Sequence, residues 1–309
     1  MVSVITPHRN DLTGIRRIFG YLNLQTSDKW EWIIIDDCSD IEVQEELSFF
    51  ISNLKDAKIK IALNKNKKSA SGCRNIGVDL ATYSTMVFLD SDDTITDKFI
   101  ENRLVEIKEF KVFKNFKTID NKNKTELFSK IDSHYLENFL MAKFAWQTTA
   151  ILWNKDFFIK IGKFNESLIL LEDIELSIRA LLKGSNYDVH NNTEIDFYYY
   201  VKPIDIEKRN VEKVCSSVVL FIDTVSEYLT KDSKKNSFLK GYYYLCIRYL
   251  HRSNSRKDIL LVENVLRNLY SKDIVTFIKY NIGMFLLKLY KFRLISNNLF
   301  LRTNRYYFK

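Results

Sequence analysis

Three carboxylates, Asp90, Asp92 and Asp93, follow a short apolar run in the first third of this 309-residue chain. Like charges this close repel one another unless a cation neutralises them. Oxygen ligands suit Mg²⁺ or Mn²⁺, which keep several waters and bridge to the phosphates of a substrate. The alternative is a solvated turn whose aspartates cap a helix that starts near Asp97. The cluster therefore indicates either a divalent-metal site or a capped turn.

A second acidic group, Glu172, Asp173 and Glu175, opens a predicted helix over 171–182 that ends at Gly184. The apolar residues of this segment recur at helical spacing and leave the three acidic side chains in the first turn. Negative charge at this position is stabilised by the helix dipole. Stabilisation by the helix dipole is by itself a sufficient reason for three acidic residues at this position, so a catalytic role needs separate evidence.

The elements that position these carboxylates alternate between short apolar runs and helical patterns. We predict strands and helices, in chain order, over 2–6, 12–24, 32–36, 41–54, 59–63, 70–80 and 86–90. Such alternation predicts an α/β fold with a Rossmann-like, mainly parallel sheet flanked by helices. Ligands of such sheets bind at the carboxyl ends of the strands, here residues 7–10, 36–40 and 90–93.

Composition excludes several classes of protein. Aromatic residues make up 14% of the chain and only eight Gly and two Pro occur, which excludes disordered and low-complexity chains. The four Cys and four His have no metal-binding spacing, and neither GxGxxG nor GxxxxGK[ST] is present. No signal peptide or membrane-spanning stretch is visible, so we expect a cytoplasmic protein.

The net charge of +8 is distributed unevenly along the chain. Residues 1–200 carry a net charge of −4 and residues 201–309 one of +12, and no acidic residue follows Asp273. We predict a basic helical extension over 205–309, whose aromatic and amphipathic segment 277–309 suits an anionic membrane surface. A solvated basic face is the alternative. No nucleic-acid-binding motif is recognisable, and we expect no nucleic-acid partner.

Five segments of residues 1–200 together resemble the family 2 glycosyltransferases, which have the GT-A fold. They are SVITPHRN at 3–10, WIIIDDCSD at 32–40, SGCRNIG at 71–77, FLDSDD at 88–93 and FNESLILLEDIEL at 164–176. Each segment alone is weak, but five in this order at plausible strand ends are specific. The resemblance implies a GT-A catalytic domain over 1–204, with a nucleotide-binding half 1–95 and an acceptor half 96–204.

The resemblance also implies a UDP-sugar donor and a Mn²⁺ or Mg²⁺ cofactor. Asp90 and Asp92 match the family's DxD motif, in which the second aspartate binds the metal and the first lies near the ribose. Asp37 matches the position that reads the uracil edge, Arg74 one that contacts the nucleotide, and Pro7 the bend of the chain around the base. A carboxylate accepts the imide N–H of uracil, and arginine supplies fixed donors.

On the acceptor side, Asp173 matches the family's general base, which removes the proton of the acceptor hydroxyl as its oxygen attacks the anomeric carbon. A direct displacement has no covalent intermediate, so the resemblance implies inversion. Glu172 is expected to orient the site and Arg9 to contact the nucleotide. Trp146 is expected to stack on an acceptor sugar unless it is a core tryptophan. The implied acceptor is a glycan carried on polyprenyl diphosphate at the cytoplasmic face of the inner membrane.

The chain departs from the family pattern in places. His8-Arg9-Asn10 replaces a frequent Tyr-Asn, and the segment Tyr200-Val-Lys-Pro203 lacks the family's histidine, so Lys202 is the candidate for a substitute charge. The compact size and basic helical tail are similar to those of the glucosyltransferases that branch bacterial N-glycans. This similarity implies UDP-glucose as the donor.

Two other functions use the same residues. Residues 90–94 also fit DxDxT, the nucleophile loop of haloacid dehalogenase-type phosphatases, although those enzymes place the loop after the first strand of the core and not the fourth. The second is a non-catalytic module that binds a nucleotide sugar or a membrane. The presence of both Asp92 and Asp173 argues against that module.

Overall fold

A computed structural model of the chain describes residues 1–54, 56–64, 69–120, 125–128, 133–190, 194–201, 210–229, 232–251, 253 and 255–309. Its strands are β1 Val2–His8, β2 Trp30–Asp36, β3 Ile59–Leu63, β4 Thr85–Phe88, β5 Thr94–Ile95, β6 Phe110–Phe113, β7 Phe116–Ile119, β8 Thr125–Phe128, β9 Ile151–Asn154, β10 Asp188–His190 and β11 Phe197–Tyr200. Its helices are α1 Leu12–Asn23, α2 Ile41–Leu54, α3 Ala70–Leu80, α4 Phe99–Asn102, α5 Tyr135–Leu140, α6 Lys155–Lys160, α7 Glu172–Lys183, α8 Val211–Tyr228, α9 Ser233–Asn236, α10 Gly241–Leu250, α11 Arg256–Ser271, α12 Phe277–Lys291 and α13 Asn297–Phe308.

Contacts within the chain group these elements into two compact units. Unit 1 comprises Met1–Lys130, Ala145–Ser167 and Lys183–Pro203, and unit 2 comprises Ile131–Phe144, Leu168–Leu182 and Ile204–Lys309. The sequence placed residues 133–144 and 168–182 in the acceptor half, whereas the contacts group them with the C-terminal helices. The functional division into 1–204 and 205–309 stays a prediction.

A seven-stranded sheet in the order β10-β6-β9-β4-β1-β2-β3 forms the centre of unit 1. Strands β4, β1, β2 and β3 run parallel, and β9 pairs antiparallel with both β4 and β6. Every residue of β2 is buried, as expected for a parallel strand covered on both faces. The predicted mainly parallel α/β fold is confirmed, and the bounds predicted for β3, α2 and α3 agree with the structure.

Helix α3 lies against β1 and β2 in unit 1. A side chain at Gly77 would collide with Ile5 of β1, so glycine is what allows this close approach. Helix α1 begins after Asp11, whose carboxylate accepts a hydrogen bond from the N–H of Gly14 at 2.9 Å. Both helices therefore start at the carboxyl edge of the parallel strands, where ligands are expected.

A four-stranded sheet in the order β5-β11-β7-β8 completes unit 1. It was not predicted, because its strands are only two to four residues long and show no clear alternation. Residues Thr148–Ala150 form a 3₁₀ turn, and β9 follows directly at Ile151–Asn154. Near Asp97 the predicted helix is the four-residue α4.

The C-terminal part of unit 2 is helical, as predicted. Helix α8 packs against α10 and α11, α11 packs against α12, and α13 packs against α10 and α12. The shared core contains Val218, Phe221, Tyr242 and Leu266, all without exposed surface. Among the helices of the described ranges, none has both the length and the apolar character required to cross a bilayer.

Candidate functional site

A pocket of about 550 Å³ opens at the carboxyl ends of β1, β2 and β4 in unit 1. Its walls combine three strand ends with the first turn of α3. Its lining residues are Pro7, His8, Arg9, Asn10, Asp11, Asp37, Ala70, Arg74, Asp90, Ser91 and Asp92. The structure thus brings together the six residues that the sequence assigned to nucleotide and metal: Pro7, Arg9, Asp37, Arg74, Asp90 and Asp92.

Arg74 is the main cation in the wall of this pocket. It lies in α3, its side chain is buried, and its Nη2 donates to Oδ1 of Asp90 at 2.6 Å. Its guanidinium group also lies over the ring of Phe164, 5.2 Å from the ring centre. A planar guanidinium held by a carboxylate and an aromatic ring is oriented before any ligand arrives. The pocket therefore offers a preset donor to an anionic ligand.

The loop that carries Asp92 is held by hydrogen bonds to the N-cap and the first turns of α1. Ser91 donates through Oγ to Asp11 Oδ2 at 2.6 Å, and its main-chain oxygen accepts from Arg17 Nη2 at 2.8 Å. Neither contact was predicted, because partners more than seventy residues apart leave no local signal. The one available clue was Asp11, an aspartate directly before a helix and therefore a candidate cap.

Asp92 and Asp93 have different environments although they are neighbours. Asp92 is half-buried at the pocket, whereas Asp93 points into the core and accepts from Thr149 Oγ1 at 2.7 Å. Burial raises the pKa of Asp93 well above its ordinary value, and the charges of Asp90 and Asp92 add to this. Asp93 therefore supports the loop, and the carboxylates that line the pocket are Asp90 and Asp92.

The base of the pocket contains further buried polar groups. Asp37 accepts from Asn64 Nδ2 at 2.8 Å, and its own N–H donates to the main-chain oxygen of His8, also at 2.8 Å. His8, which was noted only as a departure from the family, has Nε2 3.6 Å from Asp36 Oδ2. Burial lowers the pKa of His8, although the charge of Asp36 opposes the shift. We therefore expect a neutral imidazole at neutral pH.

A divalent cation fits the composition of this pocket. The side chains at its mouth supply carboxylate oxygens, the donor type that Mg²⁺ and Mn²⁺ prefer. Asp90 pairs with Arg74, and Asp92 lines the pocket beside it. In the described part of the chain, no three His, Cys, Asp or Glu side chains form a metal cage. The remaining ligands would come from water and from phosphate oxygens, as is usual for these ions.

The second predicted acidic group lies in unit 2. Glu172 and Asp173 are the first two residues of α7, both half-buried, and Asp173 Oδ1 accepts from the N–H of Ile174 at 2.9 Å. Burial raises the pKa of Tyr242 well above its usual value, and the negative charge of Asp173 raises it further. The carboxylate is thus held at a helix N-terminus, where the dipole stabilises its charge.

Glu175 lies in the first turn of α7, as predicted, but its burial was not predicted. It is fully buried and accepts from Nε and Nη2 of Arg179, both at 2.7 Å, and from the hydroxyl of Tyr228 at 2.8 Å. Burial raises the pKa of Tyr228, and the charge of Glu175 raises it further. This network fastens α7 to α8 and so supports the turn that carries Asp173.

Trp146 does not join these groups. Trp146 has 2% of its surface exposed, which is the core tryptophan that the sequence left as the alternative, so we do not assign it an acceptor sugar. Trp153 is also buried, with its ring 5.3 Å from that of Phe110. Lys202, the candidate substitute for the missing histidine, lies outside the described residues.

Comparison with known sequences places this pocket in a family. The profile of glycosyl transferase family 2 matches residues 3–164, just over half of the chain. An uncharacterized glycosyltransferase of Haemophilus influenzae is 26% identical over 273 residues, 83% of this chain and 87% of that protein. The UDP-Glc:alpha-D-GlcNAc-diphosphoundecaprenol beta-1,3-glucosyltransferase WfgD of Escherichia coli is 32% identical over 93 residues, 30% of this chain and 35% of that protein.

Solved structures share the fold. TarS 1–349 of S. aureus, crystallised with UDP-GlcNAc, has a TM-score of 0.60 at 16% identity, with 92% of this chain and 90% of that one covered. The mannosyltransferase PcManGT of Pyrobaculum calidifontis, in complex with GDP-Man and Mn²⁺, has a TM-score of 0.54 at 11% identity, with 99% and 84% covered. At these identities the likeness concerns the fold alone.

The family profile runs through residues 90–94, so we do not carry the phosphatase alternative further. Its match begins in β1 and ends at Phe164, and therefore includes every residue of the pocket in unit 1. The chain belongs to glycosyl transferase family 2 and is a hexosyltransferase with the GT-A fold.

Proposed function

We propose that the protein transfers a sugar, glucose in our assignment, from a UDP-sugar to a hydroxyl group of a glycan carried on polyprenyl diphosphate. The transfer is metal-dependent and inverts the anomeric configuration. The observation that carries the proposal is the convergence of Asp37, Arg74, Asp90 and Asp92 on one pocket at the carboxyl edge of the parallel strands. This edge is where open α/β sheets bind nucleotides.

In the proposed complex the nucleotide occupies the pocket of unit 1. Asp37 accepts the imide N–H of uracil, and its fixed hydrogen bond from Asn64 keeps the carboxylate in place. Pro7 and Arg9 flank the base from the end of β1. Arg74 faces the negatively charged part of the nucleotide with a guanidinium group that Asp90 and Phe164 have already oriented.

Asp92, assisted by Asp90, would hold the Mn²⁺ or Mg²⁺ ion. When bound, such an ion neutralises the charge that develops on a departing diphosphate. The residues of the chain supply the rest: Arg74 places a second positive charge beside the carboxylates, and Ser91 fixes the loop through its contacts with Asp11 and Arg17. The Mn²⁺ found with the mannosyltransferase of similar fold supports this assignment.

Asp173 is our proposed general base. It removes the proton of the acceptor hydroxyl while the oxygen attacks the anomeric carbon, and one such base is enough for a direct displacement. Glu172 precedes it in the same helical turn and is proposed to orient the acceptor by hydrogen bonding. The acceptor class is supported by the partial relative WfgD, whose name states a diphosphoundecaprenol-linked acceptor and UDP-Glc. A lipid-linked acceptor places the enzyme peripherally on the cytoplasmic face of the inner membrane.

Two variants test the donor site and the base separately. Asp92→Asn should abolish Mn²⁺-dependent UDP binding, measured by calorimetry. Asp173→Asn should keep that binding and slow transfer by about 10²–10⁴-fold, the usual contribution of a positioned base. Asp97→Asn, an exposed aspartate five residues beyond Asp92, is the matched control and should change neither property. Full transfer activity in Asp173→Asn would overturn the base assignment, and unchanged metal-dependent binding in Asp92→Asn would overturn the metal site.

A further inference from the structure

The C-terminal helices of unit 2 expose an apolar stripe. Phe277, Phe285 and Phe292 follow one another about two turns apart on α12 and its C-cap, so they lie on one helix face. Their exposed fractions are 65%, 60% and 59%, and that of the adjacent Ile278 is 71%. The opposite face of α12 is buried in unit 2 through residues such as Leu287. We call these four exposed side chains the aromatic stripe.

Further apolar side chains continue beyond α12. Leu294, in the turn between α12 and α13, is 69% exposed, and Leu299 and Tyr306 of α13 are 51% and 82% exposed. Arg293, in the same turn, has a left-handed backbone conformation with a φ of 56°. Single exposed apolar residues are ordinary, but a run of large ones on consecutive elements marks an interaction surface.

The charged side chains of α12, the following turn and α13 all have one sign. Seven cations and no carboxylate lie between residues 274 and 309. Within the described ranges, no ion pair involves the cations of α12, the following turn or α13: Lys279, Lys288, Lys291, Arg293, Arg302, Arg305 and Lys309.

Cations also crowd together at the end of α13. Burial lowers the pKa of Lys309, and the nearby charges of Arg305, Arg248 and Lys143 lower it further. Lys309 and Arg248 line a shallow depression together with Tyr244. Positive groups that repel one another favour an anionic surface as their partner.

We propose that the aromatic stripe and the cations beside it bind an anionic phospholipid bilayer, with the phenylalanines inserted among the acyl chains and the cations at the phosphate groups. This inference rests on the proposed lipid-linked acceptor and deepens it, because it names the surface that holds the enzyme at the membrane. An amphipathic helix with aromatic side chains on its outer face and Lys or Arg at its margins is the usual form of an interfacial anchor.

Two other occupants fit the surface less well. A second copy of the chain would place seven cations opposite seven cations, which repel each other at ordinary ionic strength. Nucleic acid would satisfy the cations but would leave Ile278, Leu294 and Leu299 in contact with water and phosphate. Only a bilayer accepts both the apolar side chains and the charges.

The test is sedimentation of the full chain with vesicles. Wild-type protein should bind vesicles of phosphatidylcholine mixed with phosphatidylglycerol and should bind phosphatidylcholine alone much less. Phe285→Glu/Phe292→Glu should weaken binding to the mixed vesicles by about tenfold or more, because two inserted side chains are lost and two charges repel the lipid. Phe49→Glu, on α2 of unit 1, is the matched control, since Phe49 is 68% exposed and should not change vesicle binding.

Several results overturn the proposal. These are equal binding of the double variant and the wild type, equal loss in the control, and no preference for the anionic vesicles. Self-association of the wild type that the double variant lacks, measured by sedimentation velocity, would assign the stripe to a second copy. Salt-sensitive RNA binding without vesicle binding would assign it to nucleic acid.

The proposed function and the proposed membrane surface are tested by separate measurements, UDP binding and vesicle binding. UDP binding of the double variant should equal that of the wild type, and an unchanged circular dichroism spectrum would show that its helices fold. Vesicle binding without any UDP binding in the wild type would refute the donor site and leave the membrane surface intact. UDP binding and transfer to a soluble acceptor without vesicle binding would refute the membrane surface and leave the donor site intact.

Discussion

Replacing Arg179 with methionine should lower the free energy of unfolding by about 3–5 kcal/mol, because it leaves a buried carboxylate without its cation. Glu175 has no exposed surface, and the two Arg179 nitrogens that contact it are both 2.7 Å away. After the replacement only the hydroxyl of Tyr228 still donates to this carboxylate among the contacts described above. A single neutral hydrogen bond contributes about 0.5–1.5 kcal/mol and does not offset a buried charge.

The double variant Glu175→Gln/Arg179→Met separates the lost charge pair from the lost packing. It buries no ion, so it should be more stable than Arg179→Met alone, although it contains one more substitution. The midpoint of urea unfolding, followed by circular dichroism with an unchanged slope, measures both effects. Because the chain forms two compact units, each transition must be assigned before a free energy is read.

Two results would refute this reasoning. One is an Arg179→Met variant within about 1 kcal/mol of wild type, the level of a surface ion pair. The other is a double variant that is as unstable as the sum of its two single variants, because the pair would then have no coupling. A transfer rate that falls in Arg179→Met at temperatures where the protein is fully folded would show in addition that the network positions the turn of Asp173.

Three further predictions concern unit 1. Burial raises the pKa of Glu31, but hydrogen bonds, chiefly from Lys60, outweigh burial and hold this pKa below its ordinary value of 4.5. Glu31 therefore stabilises the protein above pH 4.5, and the stabilisation is lost as the pH falls through the lower pKa of the folded state. Glu31→Gln should therefore lower Tm at pH 7 and the difference should close in acid; a constant difference would contradict this. Gly14→Ala should weaken Mn²⁺-dependent UDP binding by about tenfold in calorimetry, because the new Cβ would lie 2.6 Å from a main-chain oxygen of the Asp90–Asp92 loop. Gly20→Ala is the control: a Cβ there would have nothing within 4 Å, so UDP binding should not change. Burial, with a contribution from Asp37, raises the pKa of Cys73 to about 12. Iodoacetamide at pH 8 should therefore label Cys73 only after unfolding, as measured by peptide mass spectrometry. Labelling of Cys73 in the native protein would contradict its burial.

The parallel half of the fold was predictable because its signals are local. Helix α2 and strand β3 were predicted with the bounds that the structure has, since each carries its own apolar period. The four-stranded sheet was missed because strands such as β5 are stabilised by partners far away in the chain and not by their own pattern. Contacts between Ser91, Asp11 and Arg17 are of the same kind.

The site divides in the same way. The alternation of elements placed Asp37 and Asp92 at strand ends, where ligands are expected. The roles expected of Asp37, Arg74 and Asp92 came from the resemblance to the family 2 glycosyltransferases. The burial of Glu175 was not predicted, because one-dimensional periodicity treats a charged residue as outward-facing. Its burial depends on Arg179 one turn away and on Tyr228 more than fifty residues away, and the sequence pattern contains only the first of these.

The interleaving of the two units limits how this gene product can be divided. The polypeptide passes from one unit to the other at 130, 144, 167, 182 and 203, so no single cleavage yields either unit complete. A fragment that stops at 204 keeps α7 but loses Tyr228 of α8, and with it one of the donors to Glu175. Deleting the basic helices to obtain a smaller catalytic piece would therefore expose the inner face of α7, and such fragments should accumulate as insoluble protein.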